Sequence, residues 1–476
     1  MQDFGAHFEL ARYDLGPVNV RPAERTIETS RAIRTLEPLV MRLLVLLSRR
    51  AGRLTSRSDI FAVCWGTAPV GDDSLNRLVA VLRKALEDVA PAIVRIETVP
   101  GAGYVLRLSG IPNGKDASAD DLPNLRTVLD AAYDSWRLGL PEPDHLQLET
   151  MRRICLLSTT SAEAWGMLAL LCRQAAEYSE GNEIASYVAE CQASARRALA
   201  LDPDQAEALA ALAGVLPLYG RWLDARIQLK RVLSASPTNA VANHDLAMLE
   251  MATGRVGDAK ALMDKLVEAD PLAACFYYKS MYQHWATDDL LGMDHVGDRA
   301  IQLWPTHPAV WTARLWTLAH TDRLAAALAM LDDVAVRPPM PQASLDFIRL
   351  VVAAAQAGTA EQARVAADAS RKIAALGPAH AISAMFALGL LKETDALLDV
   401  THGYFLRRGP SPVPIRHMPG EMSINDQHRR VSQILFTPVF AKVRQGSRFS
   451  ALCETIGLSD YWRSSGLRPD YLDTNL

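Results

Sequence analysis

The stretch that decides the fold of most of the chain is LALDPDQAEALAALA, residues 199–213. Related text returns as LSASPTNAVANHDLA at residues 233–247 and as IQLWPTHPAVWTA at residues 301–313. A proline marks each recurrence, and five prolines are spaced thirty-four residues apart: Pro203, Pro237, Pro271, Pro305 and Pro339. Because chance rarely keeps one spacing over five prolines, the pattern predicts a structural unit that is repeated along the chain.

Each unit has the composition of two helices joined by a turn. Proline lacks the backbone N–H that a helix interior needs, so it marks the end of the second helix. A glycine in mid-repeat, Gly220 in one unit and Gly254 in the next, marks the turn between the two helices. A helix–turn–helix unit of thirty-four residues has the period of a tetratricopeptide repeat. The sequence therefore predicts a tetratricopeptide-like α-solenoid over residues 124–400, with its clearest repeats at 206–239, 240–273, 274–307 and 308–341.

The first 110 residues have a different character, with strands as well as helices. The strand-like runs are residues 7–15, 18–21 and 26–29, and the helical segments are residues 36–50, 56–65 and 72–89. Two further strands flank Pro100–Gly103, which is a hairpin signal. The order of strands, three helices and a hairpin predicts an α+β winged helix-turn-helix. The whole chain is therefore predicted to be mainly α.

These patterns divide the chain into four parts. Residues 1–110 form the winged-helix head, and residues 111–123, which are small, polar and rich in proline and glycine, form a linker. The helical repeats follow over residues 124–400. Residues 401–476 are expected to form a C-terminal helical segment. It opens with an irregular, proline-rich stretch at residues 402–419, which we expect to act as a lid.

Three motifs in the head carry a resemblance to a known family. They are DDSLN at residues 72–76, LRKAL at residues 82–86 and IETVPGAGY at residues 96–104. Together they resemble the OmpR/PhoB-type winged helix, over about 100 of the 476 residues. The most similar variant carries this head in front of a tetratricopeptide region instead of behind a phosphoacceptor domain. The resemblance implies a head that binds duplex DNA and a body that controls it.

The head departs from that family at three positions. The family often has basic residues beside the wing glycine, after the wing tyrosine and within the recognition helix, where this chain has Ala102, Val105 and Val81. Lys and Arg side chains make the phosphate contacts that contribute much of the affinity for DNA. We therefore expect fewer phosphate contacts than in a typical member, and a shallow salt dependence of DNA binding.

The predicted recognition helix, residues 72–89, has two faces. At about 100° per residue, a buried seam within roughly 40° is predicted for Leu75, Val79, Leu82 and Leu86. The opposite arc holds Asp73, Arg77, Ala80, Val81 and Lys84, and it is flanked by Asn76 and Arg83. Such a helix fits the major groove of DNA, where its polar arc would face the bases.

The predicted DNA-binding residues are Ser74, Asn76, Arg77, Arg83, Lys84, Thr98 and Tyr104. Arg77 and Asn76 are assigned to base edges, because Arg and Asn can bind guanine and adenine edges in bidentate fashion. The other two cations of the helix are assigned to phosphates or bases. Ser74, near the helix start, is expected to bond a phosphate, and Thr98 and Tyr104 are expected to brace the wing. The alternative is that the polar arc is a solvated helix face.

The repeats carry a second predicted site. Fixed positions of the first helix in each tetratricopeptide unit line the concave face of the array. At these positions the repeats hold the groove residues, which are His244, Met248, Tyr278, Tyr282, Trp285, Trp316 and His320. Ligand pockets combine aromatic walls with a few polar groups, and Tyr and Trp also anchor peptide interfaces. We predict a groove for a small molecule or a peptide. The alternative is that these residues pack the helices together.

Composition and short motifs argue against several classes of function. The six cysteines form no C-x-x-C pair, which argues against zinc and against disulfides. P-loop, zinc-protease and serine-hydrolase motifs are missing, so no enzyme activity, metal or cofactor is predicted. No signal peptide and no run of eighteen apolar residues is seen, so we expect a cytoplasmic protein without a membrane anchor. Residues 1–110 have a net charge of +3 and the remainder −7, a weak sign of an anion-binding head.

The sequence as a whole predicts a bacterial one-component transcription regulator. Its expected partners are double-stranded DNA, a second copy in a homodimer, and RNA polymerase. An unidentified small molecule or peptide is expected to bind the repeats as effector. The alternative, from another class, is a tetratricopeptide scaffold for protein partners with a weak or vestigial DNA-binding head. A gel shift with the DNA upstream of the protein's own gene separates the two.

Overall fold

The computed structural model describes residues 13–15, 18–22, 24–29, 32–49, 55–57, 60–61, 64, 72–91, 93–99, 103–108, 125–138, 145–178, 182–216, 220–334, 337–413 and 432–472. Two compact units are present, one formed by residues 1–128 with 144–157 and the other by residues 129–143 with 158–476. The predicted linker, the wing tip at residues 100–102 and half of the predicted helix at 56–65 lie outside the described residues.

The head opens with a four-stranded antiparallel sheet. Its strands are β1 (Tyr13–Leu15), β2 (Val18–Arg21), β3 (Thr26–Glu28) and β4 (Ile33–Thr35), paired in that order. Val18, Val20 and Ile27 are buried and alternate with partly exposed neighbours, as expected for a sheet with one face on a core. The first three strands were predicted. Strand β4 was missed because all three of its residues are exposed, so no alternation marks it.

Helices and a hairpin complete the described part of the head. Helix α1 spans Pro38–Arg49 and helix α2 spans Asp72–Val89. A second sheet places strand β7 (Gly103–Leu108) between β5 (Thr55–Ser56) and β6 (Val94–Val99). Apolar residues of both helices and both sheets share one core. The predicted α+β winged-helix architecture is confirmed.

From residue 125 onward, the regular structure of the described residues is helical. Helices α3 (Leu125–Leu138) and α4 (His145–Leu157) come first. The helix pairs that follow are α5 (Ala162–Tyr178) with α6 (Asn182–Leu201), α7 (Ala206–Gly214) with α8 (Trp222–Ala235), α9 (Ala240–Ala252) with α10 (Val256–Ala269), α11 (Ala274–Ala286) with α12 (Leu290–Leu303), α13 (Pro308–His320) with α14 (Leu324–Asp332), α15 (Gln342–Ala357) with α16 (Ala360–Ala374), and α17 (Pro378–Leu390) with α18 (Thr394–Leu406). The predicted solenoid of helix pairs is confirmed.

The spaced prolines lie in the turns between pairs. Four of them stand two residues beyond the end of a second helix: Pro203, Pro237, Pro271 and Pro305. The next first helix is often capped by a side chain. Gln205, Asn239 and His307 each accept a hydrogen bond from the backbone N–H three residues on. Each cap satisfies a donor that the start of a helix leaves unpaired, so the turn ends one unit and starts the next.

The C-terminal segment, residues 432–472, packs on the repeats. It contains the 3₁₀ turns Ser432–Phe436, Pro438–Phe440 and Asp470–Leu472, and helices α19 (Ser447–Thr455) and α20 (Leu458–Ser465). Its first turn contacts α9 and its helix α20 contacts α8, whereas its second turn contacts α17 and α19 contacts α18. The segment therefore joins early and late repeats in one hydrophobic core.

Hydrogen bonds fasten the C-terminal segment to the early repeats. The indole N–H of Trp222 donates to the carbonyl oxygen of Ile456 at 2.8 Å, and that of Trp462 donates to Thr253 at 2.8 Å. Gly254 lies beneath the segment with a φ of +86°, where a Cβ would stand 2.6 Å from Pro469. This glycine thus allows both the left-handed turn and the close approach of the segment.

The stretch predicted to be an irregular lid begins differently. Helix α18 continues to Leu406, so residues 402–406 are its last turn and not part of a loop. The reason is that Tyr404 and Phe405 are fully buried and extend the apolar face of the helix. Residues 407–413 then leave the helix, and Val413 is buried. Residues 414–419 lie outside the described part of the chain.

Candidate nucleic-acid interface and repeat face

Helix α2 buries one face and exposes the other. Leu75, Val79, Leu82 and Leu86 are each at most 1% exposed, which confirms the predicted seam. The exposed residues of the opposite arc and its edge are Asp73, Asn76, Arg77, Ala80, Val81, Arg83 and Lys84. Because the seam packs into the core of the head, the arc is presented outward in a fixed orientation.

Arg83 ties the recognition helix to the wing hairpin. Its Nε and one terminal nitrogen donate to the carbonyl oxygen of Ile96 at 2.9 and 2.7 Å, and the same terminal nitrogen donates to Oγ1 of Thr98 at 2.9 Å. Bonds from a charged donor are among the stronger hydrogen bonds in proteins. Two residues assigned to DNA from the sequence thus bind each other across the helix–hairpin junction.

Tyr104 makes a second link between helix and wing. Its ring is buried, and its hydroxyl donates to Oδ1 of Asn76 at 2.8 Å. Arg57 donates to the Tyr104 hydroxyl and to the same Asn76 oxygen, each at 3.4 Å. The guanidinium carbons of Arg57 and Arg83 lie 5.8 and 6.0 Å from the centroid of the Tyr104 ring. Tyr104 is therefore held by cation–π contacts as well as by hydrogen bonds.

The centre of the exposed arc is left open. Among the described residues, Arg77 and Lys84 have no ion pair or hydrogen bond, and both side chains are exposed. Ser74 is also exposed, in the first turn of α2. The structure thus separates the predicted DNA contacts into two groups. Asn76 and Arg83 at the edge of the arc bind the wing, whereas the central cations face solvent.

Several other cations of the head are engaged. Arg107 pairs with Glu97 across the wing hairpin at 3.1 Å, and Arg34 pairs with Asp88 at 3.3 Å. Arg42 donates to the carbonyl oxygen of Cys64 at 3.5 Å. These contacts engage cations of the head within the protein. The small basic footprint expected from the sequence stays a prediction.

In the repeats, the chain itself covers much of the predicted groove. Trp316 stacks on Phe386 of α17, with ring centroids 5.6 Å apart, and Tyr282 lies 5.7 Å from the same ring. The Nε2–H of His320 donates to the carbonyl oxygen of Phe386 at 3.0 Å. Trp285 lies 5.1 Å from the His320 ring. Four groove residues therefore form one aromatic cluster around a later repeat.

Burial shifts the pKa of the imidazole in this cluster. It lowers the pKa of His320 from its ordinary value of 6.5 to about 4, although the hydrogen bond to the Phe386 carbonyl opposes the shift. The imidazole is therefore neutral at physiological pH. Trp285 and Trp316 are buried, whereas Tyr282 and His320 keep some exposure.

Helix α3 covers another part of the predicted groove. The ring of Trp136 stands edge-on to His244 at 5.4 Å and to Phe276 at 5.8 Å. Arg137 forms an ion pair with Asp270 in the turn before α11. Trp136 of α3 thus lies against the first helices α9 and α11, and Arg137 of α3 lies against the turn that precedes α11.

The two remaining groove residues also contact the chain. The carbonyl oxygen of Met248 accepts a hydrogen bond from the Gln433 side chain of the C-terminal segment at 3.3 Å. Tyr278 stacks on His307 at 6.1 Å, and burial raises the pKa of its hydroxyl well above the ordinary value. The binding of an effector at any groove residue stays a prediction.

A buried charged network runs beneath the covered face. Arg173 of α5 donates to Glu177 at 3.1 Å and to Asp245 of α9 at 2.5 Å. Burial favours a raised pKa for Asp245, but the Arg173 guanidinium and a hydrogen bond from His244 hold that pKa below its ordinary value. His244 donates from Nδ1 to Asp245, so its Nε2 accepts from Lys279 at 2.5 Å. Burial lowers the pKa of Lys279.

Gly214 makes room for this network. A Cβ at residue 214 would lie 2.1 Å from Nε of Arg173, so the arginine passes over α7 on its way from α5 to α9. The network was not predicted from the sequence. A signal was present, since charged residues seldom occur on an apolar helix face without partners, but the identity of the partners needs the fold.

Two family models match the chain. Residues 32–106 match the family described as "Transcriptional regulatory protein, C terminal". The head is an OmpR/PhoB-type winged helix. Residues 218–281 match the family described as "Tetratricopeptide repeat". The chain is thus a transcription-regulator-like protein with a DNA-binding domain and a repeat domain, and both families are typically non-enzymatic. No curated protein matches this chain.

Solved structures show only a limited likeness to the chain. One is a tetratricopeptide repeat protein from Parabacteroides merdae, at 16% identity and a TM-score of 0.33, covering 52% of this chain and 91% of that one. Another is Naa15/Naa10 bound to HypK-THB, at 14% identity and a TM-score of 0.25, covering 72% of this chain and 46% of that one. At these scores the family matches, not the neighbours, identify the two domains.

Three further features bear on function. Among the described residues, no helix is long and apolar enough to cross a membrane. The same residues contain no group of three His, Cys, Asp or Glu side chains placed to hold a metal ion. All six cysteines are described and buried, and none of them is in a disulfide.

Proposed function

We propose that this protein is a one-component transcription regulator that binds duplex DNA as a homodimer through its winged helix. The observation that carries the proposal is the open arc of α2, where Arg77 and Lys84 stand exposed in a domain that matches a transcriptional regulatory family. A helix of this kind fits the major groove, and arginine is the residue that most often reads guanine there. Arg77 is assigned to a base, and Lys84 and Ser74 to phosphates.

The division of labour in this proposal follows the predicted parts of the chain. Residues 1–110 bind DNA, residues 111–123 link, and residues 124–400 sense. The C-terminal segment is counted with the sensor because it packs into the same hydrophobic core. The protein works in the bacterial cytoplasm, where DNA and RNA polymerase are found, and RNA polymerase is its second macromolecular partner.

The effector, a small molecule or a peptide, is proposed to act on the repeats by exchanging with the chain's own cover. Tyr278, Tyr282 and His320 keep partial exposure, so they are the groove residues that a ligand reaches first. A ligand shifts an equilibrium only as far as it binds one state more tightly than the other. In one state Trp136 and Phe386 contact the groove residues, and in the other a ligand takes the place of one of these rings. The ligand binds only the second state and so favours it.

The test is DNA binding by the full-length chain. Duplexes selected from a random-sequence library, and DNA upstream of the protein's own gene, are titrated by fluorescence anisotropy at several salt concentrations. Arg77→Ala is expected to cost about 1–3 kcal/mol on selected sequences and to relax specificity at one base pair. Lys84→Ala is expected to weaken binding to all sequences alike and to reduce the slope of log K against log salt by about 0.9.

Arg364→Ala is the charge-matched control, because Arg364 is an exposed cation of the repeats whose nearest carboxylate, Asp368, is 3.9 Å away. It is expected to leave DNA affinity unchanged. Equal, sequence-independent losses for Arg77→Ala and Lys84→Ala would contradict the base-reading role of Arg77. Failure to enrich any duplex would favour a tetratricopeptide scaffold instead. Native mass spectrometry of the same preparation counts the subunits and detects any molecule retained by the repeats.

A further inference from the structure

The amide of Asn76 has its orientation set by two neighbours. Arginine can only donate hydrogen bonds, so where Arg57 approaches the Tyr104 hydroxyl the hydroxyl oxygen accepts. The hydroxyl hydrogen of Tyr104 is then directed to the Asn76 atom 2.8 Å away, which must be an acceptor. Arg57 also donates to that same atom at 3.4 Å. Both contacts require the amide oxygen, Oδ1, at this position.

The other end of the amide is consequently turned outward. Among the described residues, Nδ2 of Asn76 has no hydrogen-bond partner, and the side chain is exposed on α2 beside the open arc. An asparagine that reads adenine needs one donor for N7 and one acceptor for the amino group N6. With Oδ1 occupied, Asn76 can offer donors only. Guanine presents two acceptors, N7 and O6, at the same edge of the major groove.

We propose that Tyr104 holds Asn76 as a donor-only reader, so that the head selects guanine over adenine at the base pair that Asn76 meets. Asn76 is the specificity-determining residue and Tyr104 is a positioning residue that acts through it. This inference rests on the proposed DNA-binding function.

The surroundings of Tyr104 keep this arrangement in place. The ring is 3% exposed, and Arg83, which is itself bonded to Ile96 and Thr98, lies over it. Reversing the amide would point N–H groups at the Arg57 guanidinium and at the hydroxyl hydrogen. The Tyr104 hydroxyl would then lose its acceptor in a part-buried position, and unmade hydrogen bonds of this kind are costly.

The experiment uses the full-length chain and a random-sequence duplex library. Preferred sequences are selected for the wild type, Asn76→Ala and Tyr104→Phe, and affinities are then measured for the selected duplex and its single-base-pair variants. The position read by Asn76 is the one whose preference disappears in Asn76→Ala. There the wild type is expected to prefer guanine over adenine by about five- to tenfold. Tyr104→Phe removes the shorter of the two hydrogen bonds to Oδ1 and leaves only the 3.4 Å contact from Arg57. This variant is expected to reduce that ratio to between one and two by strengthening binding of the adenine duplex.

Tyr104→Phe keeps the buried ring, and equal thermal unfolding of variant and wild type checks that the head remains folded. Tyr133→Phe, which removes a hydroxyl from helix α3, is the matched control and is expected to keep the guanine preference. A loss of affinity for all duplexes without a change in the guanine-to-adenine ratio would mean a merely structural tyrosine and overturn the proposal. So would an adenine preference at the Asn76 position of the wild type, or no position that depends on Asn76. If no duplex is enriched at all, the DNA-binding function fails together with this inference.

Discussion

Helix α2 of the head and the first helices of the repeats both carry a row of side chains suited to binding, yet only α2 keeps its row uncovered. On α2, Arg77 and Lys84 have no partner among the described residues. On the repeats, Trp316 lies against Phe386 and His244 lies against Trp136. The described part of the head leaves this row exposed, and the repeats cover theirs with other parts of the same chain.

The difference follows from the chemistry of the two rows. Moving an unpaired cation out of water raises the free energy. A row of cations therefore stays solvated until an anion binds to it. Burying an aromatic ring stabilises the fold by roughly 25 cal/mol for each Å² of apolar surface removed from water. Contacts between rings add further stabilisation. An aromatic row that no ligand covers is therefore covered by the protein. The same residue types that predict a binding groove also predict intramolecular packing.

The largest effect is expected where charge is buried beneath the covered face. Arg173→Ala removes the guanidinium that pairs with Asp245 and Glu177. Water cannot replace it, because both carboxylates are nearly inaccessible. Removing one partner of a buried ion pair costs about 3–5 kcal/mol. The free energy of unfolding, measured by denaturant titration with tryptophan fluorescence, should fall by that amount. Arg364→Ala, at an exposed pair, should change it by no more than about 1 kcal/mol. Equal losses at both sites would contradict the burial of the network.

The next effect concerns the packing of the C-terminal segment on the early repeats. Gly254→Ala introduces a Cβ at a φ of +86° and within 2.6 Å of Pro469, so it combines backbone strain with displacement of the C-terminal segment. A cost of about 2–4 kcal/mol is expected. Gly220 has the same place in the preceding repeat, with a φ of +81°, but no atom of the described residues lies within 4 Å of the position that a Cβ would take. Gly220→Ala should therefore cost only about 1–2 kcal/mol. A larger loss of stability for Gly220→Ala than for Gly254→Ala would mean that contact with the C-terminal segment contributes little to the free energy of unfolding.

An intermediate effect depends on pH. The unfolded chain protonates His320 below about 6.5, whereas burial keeps the folded-state imidazole neutral until about pH 4. Stability from this group is thus complete above pH 6.5 and is lost as the pH falls towards 4. The loss is about 3 kcal/mol by pH 4, because a tenfold change in proton affinity is about 1.4 kcal/mol. Subtracting the profile of His320→Gln isolates this contribution, and parallel profiles for the two proteins would show that His320 is not buried against Phe386.

The smallest effect is expected on the open row. Arg77→Ala and Lys84→Ala remove exposed side chains that have no partner among the described residues. Substitutions of this kind usually change the free energy of unfolding by less than about 0.5 kcal/mol. The same denaturant titrations measure it. A loss above 1 kcal/mol in either variant would show that α2 uses its cations for packing, as Arg83 does, and would remove the contrast with the repeats.

Most of the fold was accessible from local sequence patterns. The thirty-four-residue spacing and the wing motif are short-range signals, and both domains are matched by family models. Strand β4 was not accessible, because an exposed three-residue strand has no periodicity. The helical end of the predicted lid was misread, because Tyr404 and Phe405 are buried by distant parts of the chain.

The two candidate sites also differ in how far local sequence patterns predict them. The open arc of α2 follows from helical periodicity alone, since Leu75 and Leu86 define the buried side. The cover of the groove residues does not. Phe386 lies sixty-six residues beyond His320, and Gln433 lies 185 residues beyond Met248. Spacing within a repeat carries no information on contacts at such separations.

The bond between Trp222 and Ile456 has a consequence in time. The two residues are 234 positions apart in the chain. A ribosome adds about 5–20 residues per second. The carbonyl group of Ile456 is therefore synthesised roughly 10–50 s after Trp222. During that interval the early repeats are synthesised but lack the segment that completes their core. We therefore expect the repeats to complete their folding late, and a chaperone that holds apolar helices to associate with the nascent chain until the C-terminal segment, residues 432–472, emerges.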